Sequence, residues 1–252
     1  MQLLSLFKKT IGVLLLFGLS TQILLAEKIY LSSSKQQTTM IELYSSEGCS
    51  SCPPADQFLS QFTESEELWT EYIPMAFHVD YWDYLGWKDV FASPTFSNRQ
   101  RTHKQQGNLS SVYTPGFVIN GNEWAGFFKP WRSLPKFDSK PGILKVSIDR
   151  HSATISFPAT KQKLQYNLAV LGMGLVTDVR AGENSGNQLP HDFVVLDHQH
   201  QVGLSSISLN LPLIVGKNPK QFAIVAWITL PDSLQPIQAV GGILPEGTIK
   251  SI

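Results

Sequence analysis

Only two cysteines occur in the 252-residue sequence, Cys49 and Cys52. A scattered disulfide framework and a four-thiolate zinc site are therefore both excluded. A four-residue ring closed by this pair would be worth about 2 kcal/mol, against about 4.7 kcal/mol for a loop of about 100 residues. The spacing thus favours chemistry over stapling. Runs of one charge are also missing. Lys plus Arg and Asp plus Glu number 20 each, and the basic side chains are scattered. Nucleic acid, which needs a clustered cationic surface, is excluded as a partner. Nor is there a G-x-S-x-G elbow, an H-E-x-x-H helix or a glycine-rich phosphate loop. With 42% hydrophobic and 16% charged residues, the chain can bury a core.

The first 26 residues read as an export signal. Lys8 and Lys9 flank the apolar run from Ile11 to Leu19, which is too short to span a bilayer, and Ala26 suits cleavage. The expected location is periplasmic or secreted, with membrane contact only if the segment stays uncleaved. Residues 27–37 read as a polar linker. A strand is expected over Thr39–Tyr44, followed by the cysteines and a helix begun by Pro53 and Pro54. Further on, the pattern predicts a strand over Tyr72–Tyr81 and a helix starting at Ser93-Pro94. It also predicts a hairpin at Asn120-Gly121 and a short helix over Phe128–Leu134.

Pro135–Gly142 reads as a boundary. Beyond it, alternating runs separated by turn residues predict a β-sandwich, with Ala181–Pro190 as a long loop. The expected organisation is an α/β domain over 38–138 and a β-rich domain over 140–252.

The chemistry expected of strand, C-x-x-C turn and helix is thiol–disulfide exchange. The positive end of a helix stabilises a thiolate, so Cys49 would attack and Cys52 would resolve the mixed disulfide. Because it precedes proline, Cys52 is expected to be extended or a cap rather than inside the helix. Glu42, on the strand leading to the thiols, is a candidate proton carrier. His78, Asp80 and Trp82 are candidates for an aromatic and acidic wall beside the cysteines.

The runs IELYSSEGCSSCPPAD, AFHVDYWDYLGWKDVFASPTFSNRQR, SVYTPGFVINGNEWAG and GENSGNQLPHDFVV resemble the exported, thioredoxin-like domain-of-unknown-function family 1223. The resemblance implies an α/β thioredoxin-like domain followed by a β-sandwich-like all-β domain. It also implies a cis bond at Thr114-Pro115, with both residues shaping a substrate groove. Gly48 stands where thioredoxins carry tryptophan, and two prolines follow Cys52. The expected activity is exchange with protein thiols or disulfides outside the cytoplasm, without a cofactor. Two other readings stand beside it. One is a non-catalytic envelope binding module with an oxidised pair. The other is a Cu(I)-handling protein using the thiols with His78 or His103. His198 and His200 are read as surface residues.

Overall fold

The computed structural model describes residues 28–252, so the expected export signal lies outside the described residues. Two α-helices and sixteen strands are present among them. The first half holds β1 (Ile29–Ser32), β2 (Thr39–Ser45), α1 (Pro53–Ser60), β3 (Tyr72–His78), α2 (Pro94–Gln105), β4 (Gly116–Ile119) and β5 (Asn122–Glu123). The second holds β6 (Lys145–Asp149), β7 (Ser152–Ser156), β8 (Leu164–Met173), β9 (Leu175–Asp178) and β10 (Gln188–His191). It continues through β11 (Val194–Gly203), β12 (Ser206–Asn210), β13 (Leu213–Ile214), β14 (Gln221–Thr229), β15 (Gln238–Ile243) and β16 (Lys250–Ser251).

Local chemistry sets both helices. Pro53 and Pro54 occupy the first turn of α1, where a missing N–H costs nothing. Ser93 caps α2, its hydroxyl accepting from the Thr95 N–H at 3.2 Å, and Pro94 follows. The predicted hairpin is present as β4 and β5, with Asn120 and Gly121 both at positive φ (44° and 78°). The predicted helix over Phe128–Leu134 is instead a single 3-10 turn at Ala125–Phe128.

The expected architecture is overturned. The chain is not an α/β thioredoxin-like domain followed by a β-sandwich. It is predominantly β, and its largest sheet has eight strands in the order β15-β14-β8-β11-β3-β2-β4-β5. Strands from both sides of the Pro135–Gly142 segment thus share one sheet, joined by parallel pairing of β3 with β11 at Ala76 and Val194. The stretch expected as a linker contributes β1, which pairs with β6 in a second, four-stranded sheet of order β1-β6-β7-β12.

Side-chain alternation explains the layering. On β8 and β14, Ala169, Leu171, Ala223, Val225 and Trp227 join the core formed with Met40, Leu43, Phe77, Phe96 and Leu59. Their neighbours Leu168, Val170, Ile224, Ala226 and Ile228 face the other way, onto Val146, Ile148 and Ile155 of the four-stranded sheet. Strands buried on both faces make a central layer, which a sandwich of two independent halves would not contain.

Pro74 sits inside β3 without breaking it. The Ala76 N–H, two residues on, points toward β11 and donates to Phe193 at 2.8 Å, so the Pro74 nitrogen faces that same side. There β11 makes its one pairing at Ala76, and no ladder bond is lost at Pro74.

Candidate functional site

Cys49 and Cys52 are joined in a disulfide. Cys52 is the N-cap of α1, one of the two positions expected before proline, and takes a helical rather than extended conformation there (φ −78°, ψ −38°). Its carbonyl accepts from the Ala55 and Asp56 N–H groups at 2.8 and 3.0 Å, and this turn of hydrogen bonds outweighs the pre-proline preference. Ser50 and Ser51 between the cysteines are exposed, but the cysteines are buried, at 1% and 0% exposure.

A loop from the second half helps cover the pair. The buried Asn184 amide donates to the carbonyls of Glu47 and Cys49, both at 2.9 Å. Beside it the Glu183 carboxylate accepts the Ser50 N–H at 2.9 Å. The opposite flank is Trp82, whose indole N–H donates to the Thr114 hydroxyl at 2.8 Å, just before the cis Thr114-Pro115 bond. A Cβ at Gly48 would lie 3.0 Å from the Trp82 Cβ, so the tryptophan's close approach needs glycine here.

Behind the disulfide lies a buried carboxylate–imidazole cluster. Ser45 and His78 are register partners in the parallel β2–β3 pair and face the same side of the sheet, toward α1. The Ser45 hydroxyl donates to Asp56 of α1 at 2.9 Å. His78 Nδ1 sits 2.7 Å from Asp89, whose carboxylate also accepts the Glu47 and Phe91 N–H groups at 2.9 and 2.8 Å. His191 of β10 completes the group, 3.5 Å from Glu47 and 3.9 Å from Asp56. Burial alone would lower the His78 pKa, but Asp89, Asp56 and Glu47 outweigh it and raise it to about 9. Burial raises that of Asp56. Ligand atoms of Asp56, His78 and His191 lie within 4.8 Å of one another.

The sequence candidates divide between the two faces of the sheet. His78 joins the cluster behind the cysteines. Glu42, one residue out of phase with Leu43 and Ser45, faces α2 instead. It accepts a two-pronged contact from Arg99 at 2.8 and 2.9 Å and the Tyr44 hydroxyl at 2.9 Å, with His103 at 3.4 Å. Burial opposes ionisation of Glu42, yet Arg99 and His103 hold its pKa far below the usual carboxylate range. The Glu42 carboxylate is thus committed to its cationic partners. Asp80 accepts from Ser97 of α2, and its own N–H donates to that hydroxyl at 3.1 Å. His103 is separated from His78 by the sheet. His198 is half-buried, stacked on Trp227 at 4.9 Å, and burial, Arg99 and His200 push its pKa down to about 3.

Sequence reasoning placed Asp89 in the same acidic wall as His78 but missed Glu47, Asp56, Asn184 and His191 as site residues. Glu47 and Asp56 lie inside IELYSSEGCSSCPPAD, Asp89 inside AFHVDYWDYLGWKDVFASPTFSNRQR, and Asn184 and His191 inside GENSGNQLPHDFVV, so the quoted motifs held every member of the cluster and its cover. The indole N–H of Trp87 donates to Glu47 at 2.7 Å, whereas Tyr84 is 79% exposed.

A search of curated proteins finds no match. Among solved structures, protein AGR_C_4864 from Agrobacterium tumefaciens is similar with a TM-score of 0.56 and 21% identity, over 84% of this chain and 95% of that one. HBP35 of Porphyromonas gingivalis is similar with a TM-score of 0.55 and 13% identity, over 87% of this chain and 78% of that one. These likenesses speak for fold alone. Residues 40–229 match the family described as "Protein of unknown function (DUF1223)", and the chain belongs to that family.

Proposed function

We propose that the protein acts outside the cytoplasm as a binding module whose cysteine pair is kept oxidised, and not as an open thiol–disulfide exchange enzyme. The observation that carries this reading is the burial of both cysteines, at 1% and 0% exposure. Exchange proceeds by attack of a thiolate on a disulfide sulfur, and it needs a path to that sulfur. Here the Asn184 side chain binds the Cys49 carbonyl, and Trp82 packs against Gly48 next to the pair. In this arrangement the disulfide closes the turn that starts α1.

The test is reduction of the native protein by mild dithiothreitol, followed by alkylation and mass analysis. The expected result is an intact disulfide under conditions that fully reduce the urea-unfolded chain. Fast native reduction, together with turnover of a model disulfide that disappears in Cys49→Ser, overturns the reading.

One observation favours a second reading, exchange gated by the loop. The cover is held by polar contacts, and the Glu183–Ser50 bond is fully exposed, so lifting residues 182–187 would free Cys49. That reading requires a client that raises the reduction rate.

A further inference from the structure

The geometry points to a divalent transition-metal site of the zinc class behind the disulfide, with Asp56, His78 and His191 as ligands and solvent completing the shell. It does not depend on the redox state of the cysteines, and it gives the proposed binding module a ligand.

The first argument is unspent donor capacity. His78 Nε2, His191 Nδ1 and Nε2, and Glu47 Oε1 are all buried and lack hydrogen-bond partners. An unmet polar atom in the interior costs about 1–3 kcal/mol, and four of them gathered beside one aspartate need an explanation. All come from residues no more than 2% exposed, and they converge from β3, β10 and the turn before α1.

The second argument is orientation. Asp89 engages His78 Nδ1 at 2.7 Å, leaving the buried Nε2 without a partner in a side chain grouped with Asp56 and His191. A carboxylate holding one ring nitrogen so that the other can ligate is the usual support of a metal-bound histidine. Asp89 is itself fixed by two backbone N–H groups. Glu47 backs His191 in a similar way, its Oε2 taken by the Trp87 indole and its Oε1 3.5 Å from His191 Nε2, while Asp56 lies toward Nδ1.

The third argument is charge. Glu47, Asp56 and Asp89 are three buried carboxylates, and among the described residues their ion-pair partners are histidines alone. A dication bound at Asp56, His78 and His191 offsets that charge. Two imidazoles with carboxylate oxygen suit zinc and its first-row neighbours, whereas calcium and magnesium prefer all-oxygen shells. Zinc ligands at about 2.0–2.1 Å from the ion stand roughly 3.4 Å apart in a tetrahedron, so the ligands draw in by about 1 Å or slightly more.

The experiment uses the full chain, exported and purified without a histidine tag. Its metal content is measured, and the chelator-treated protein is then titrated with Zn²⁺ by calorimetry, with Mg²⁺ and Ca²⁺ for comparison. The expected result is one equivalent of Zn²⁺ and a higher thermal midpoint, neither reproduced by Mg²⁺ or Ca²⁺. His191→Gln is expected to abolish stoichiometric uptake, and Asp89→Asn to weaken it by about 10–100-fold. Cys49→Ser/Cys52→Ser is expected to keep it. Should the histidine variant fail to fold, Co²⁺ loaded into the wild-type protein decides the matter. Ligand-field bands without a sulfur-to-cobalt charge-transfer band support nitrogen and oxygen ligation. No uptake by the wild type, unchanged uptake by folded His191→Gln, or a sulfur band with Co²⁺ overturns the assignment.

Discussion

Replacing Asn184 by alanine tests the cover over the disulfide directly. Its side-chain amide makes two hydrogen bonds, to the carbonyls of Glu47 and Cys49, in a buried setting. Each bond contributes about 1 kcal/mol, so the closed loop loses about 2 kcal/mol against any state in which it has lifted. Tenfold in an equilibrium corresponds to about 1.4 kcal/mol, so the open fraction rises roughly 30-fold. When opening is fast and reversible, the rate of disulfide reduction rises by the same factor. The assay follows free thiols by alkylation during dithiothreitol treatment, at several low urea concentrations. A local opening exposes little surface, so its rate depends weakly on urea, unlike reduction through global unfolding. Glu183→Gln, which alters one exposed bond, changes the rate by a factor of a few at most. The reasoning is refuted if Asn184→Ala leaves reduction unchanged, or if wild type is already reduced as fast as an exposed disulfide.

Three further outcomes follow from the same geometry. Arg99→Met strands the buried Glu42 carboxylate and removes a guanidinium lying 5.2 Å over the Phe77 ring, so it costs about 3–5 kcal/mol in urea unfolding; a loss under 1 kcal/mol would contradict this. Glu42 has a folded-state pKa below its unfolded value of 4.5, so the unfolded chain binds the extra proton. Its stability contribution is complete above that value and is lost as pH falls below it; acid unfolding should be steeper for wild type than for Glu42→Gln. Gly121→Ala places a Cβ 2.7 Å from the Gln235 Cα at a φ of +78°, so its midpoint in denaturant falls by about 1–3 kcal/mol equivalent. For the expected export signal, N-terminal sequencing of the protein from fractionated cells should begin after Ala26; an intact, cytosolic chain would contradict it.

Features written in short-range chemistry were legible. Pro53-Pro54 and Ser93-Pro94 start helices because proline has only one favourable place in them, and Asn120-Gly121 makes a hairpin because both residues tolerate positive φ. The larger error came from β8, β11 and β14. Their apolar stretches suit strands in any sandwich, and nothing local says that β11, which pairs with β8 of its own half, also joins β3 on its other edge. The polar Pro135–Gly142 stretch therefore marked a real loop without marking an independent fold. The cluster behind the disulfide was hidden for the same reason. His78 could be singled out, but its meeting with Asp56 and His191 depends on which face of β3 points at α1 and on β10 returning there. Glu42 illustrates the same limit: a shift of one residue along β2 puts its carboxylate with Arg99 rather than with the cysteines.

The pairing of Ala76 with Val194 also sets a timetable for biosynthesis. When β3 leaves the ribosome, the strand that will close its free edge lies roughly 120 residues further along the chain, about 6–25 seconds away at ~5–20 residues per second. Through that interval the core around Ile73, Met75 and Phe77 still lacks Phe193, Val195, Val225 and Trp227. A holdase that shields the nascent N-terminal half should therefore raise the yield of folded chain, and a messenger recoded to slow translation between residues 80 and 190 should lower it.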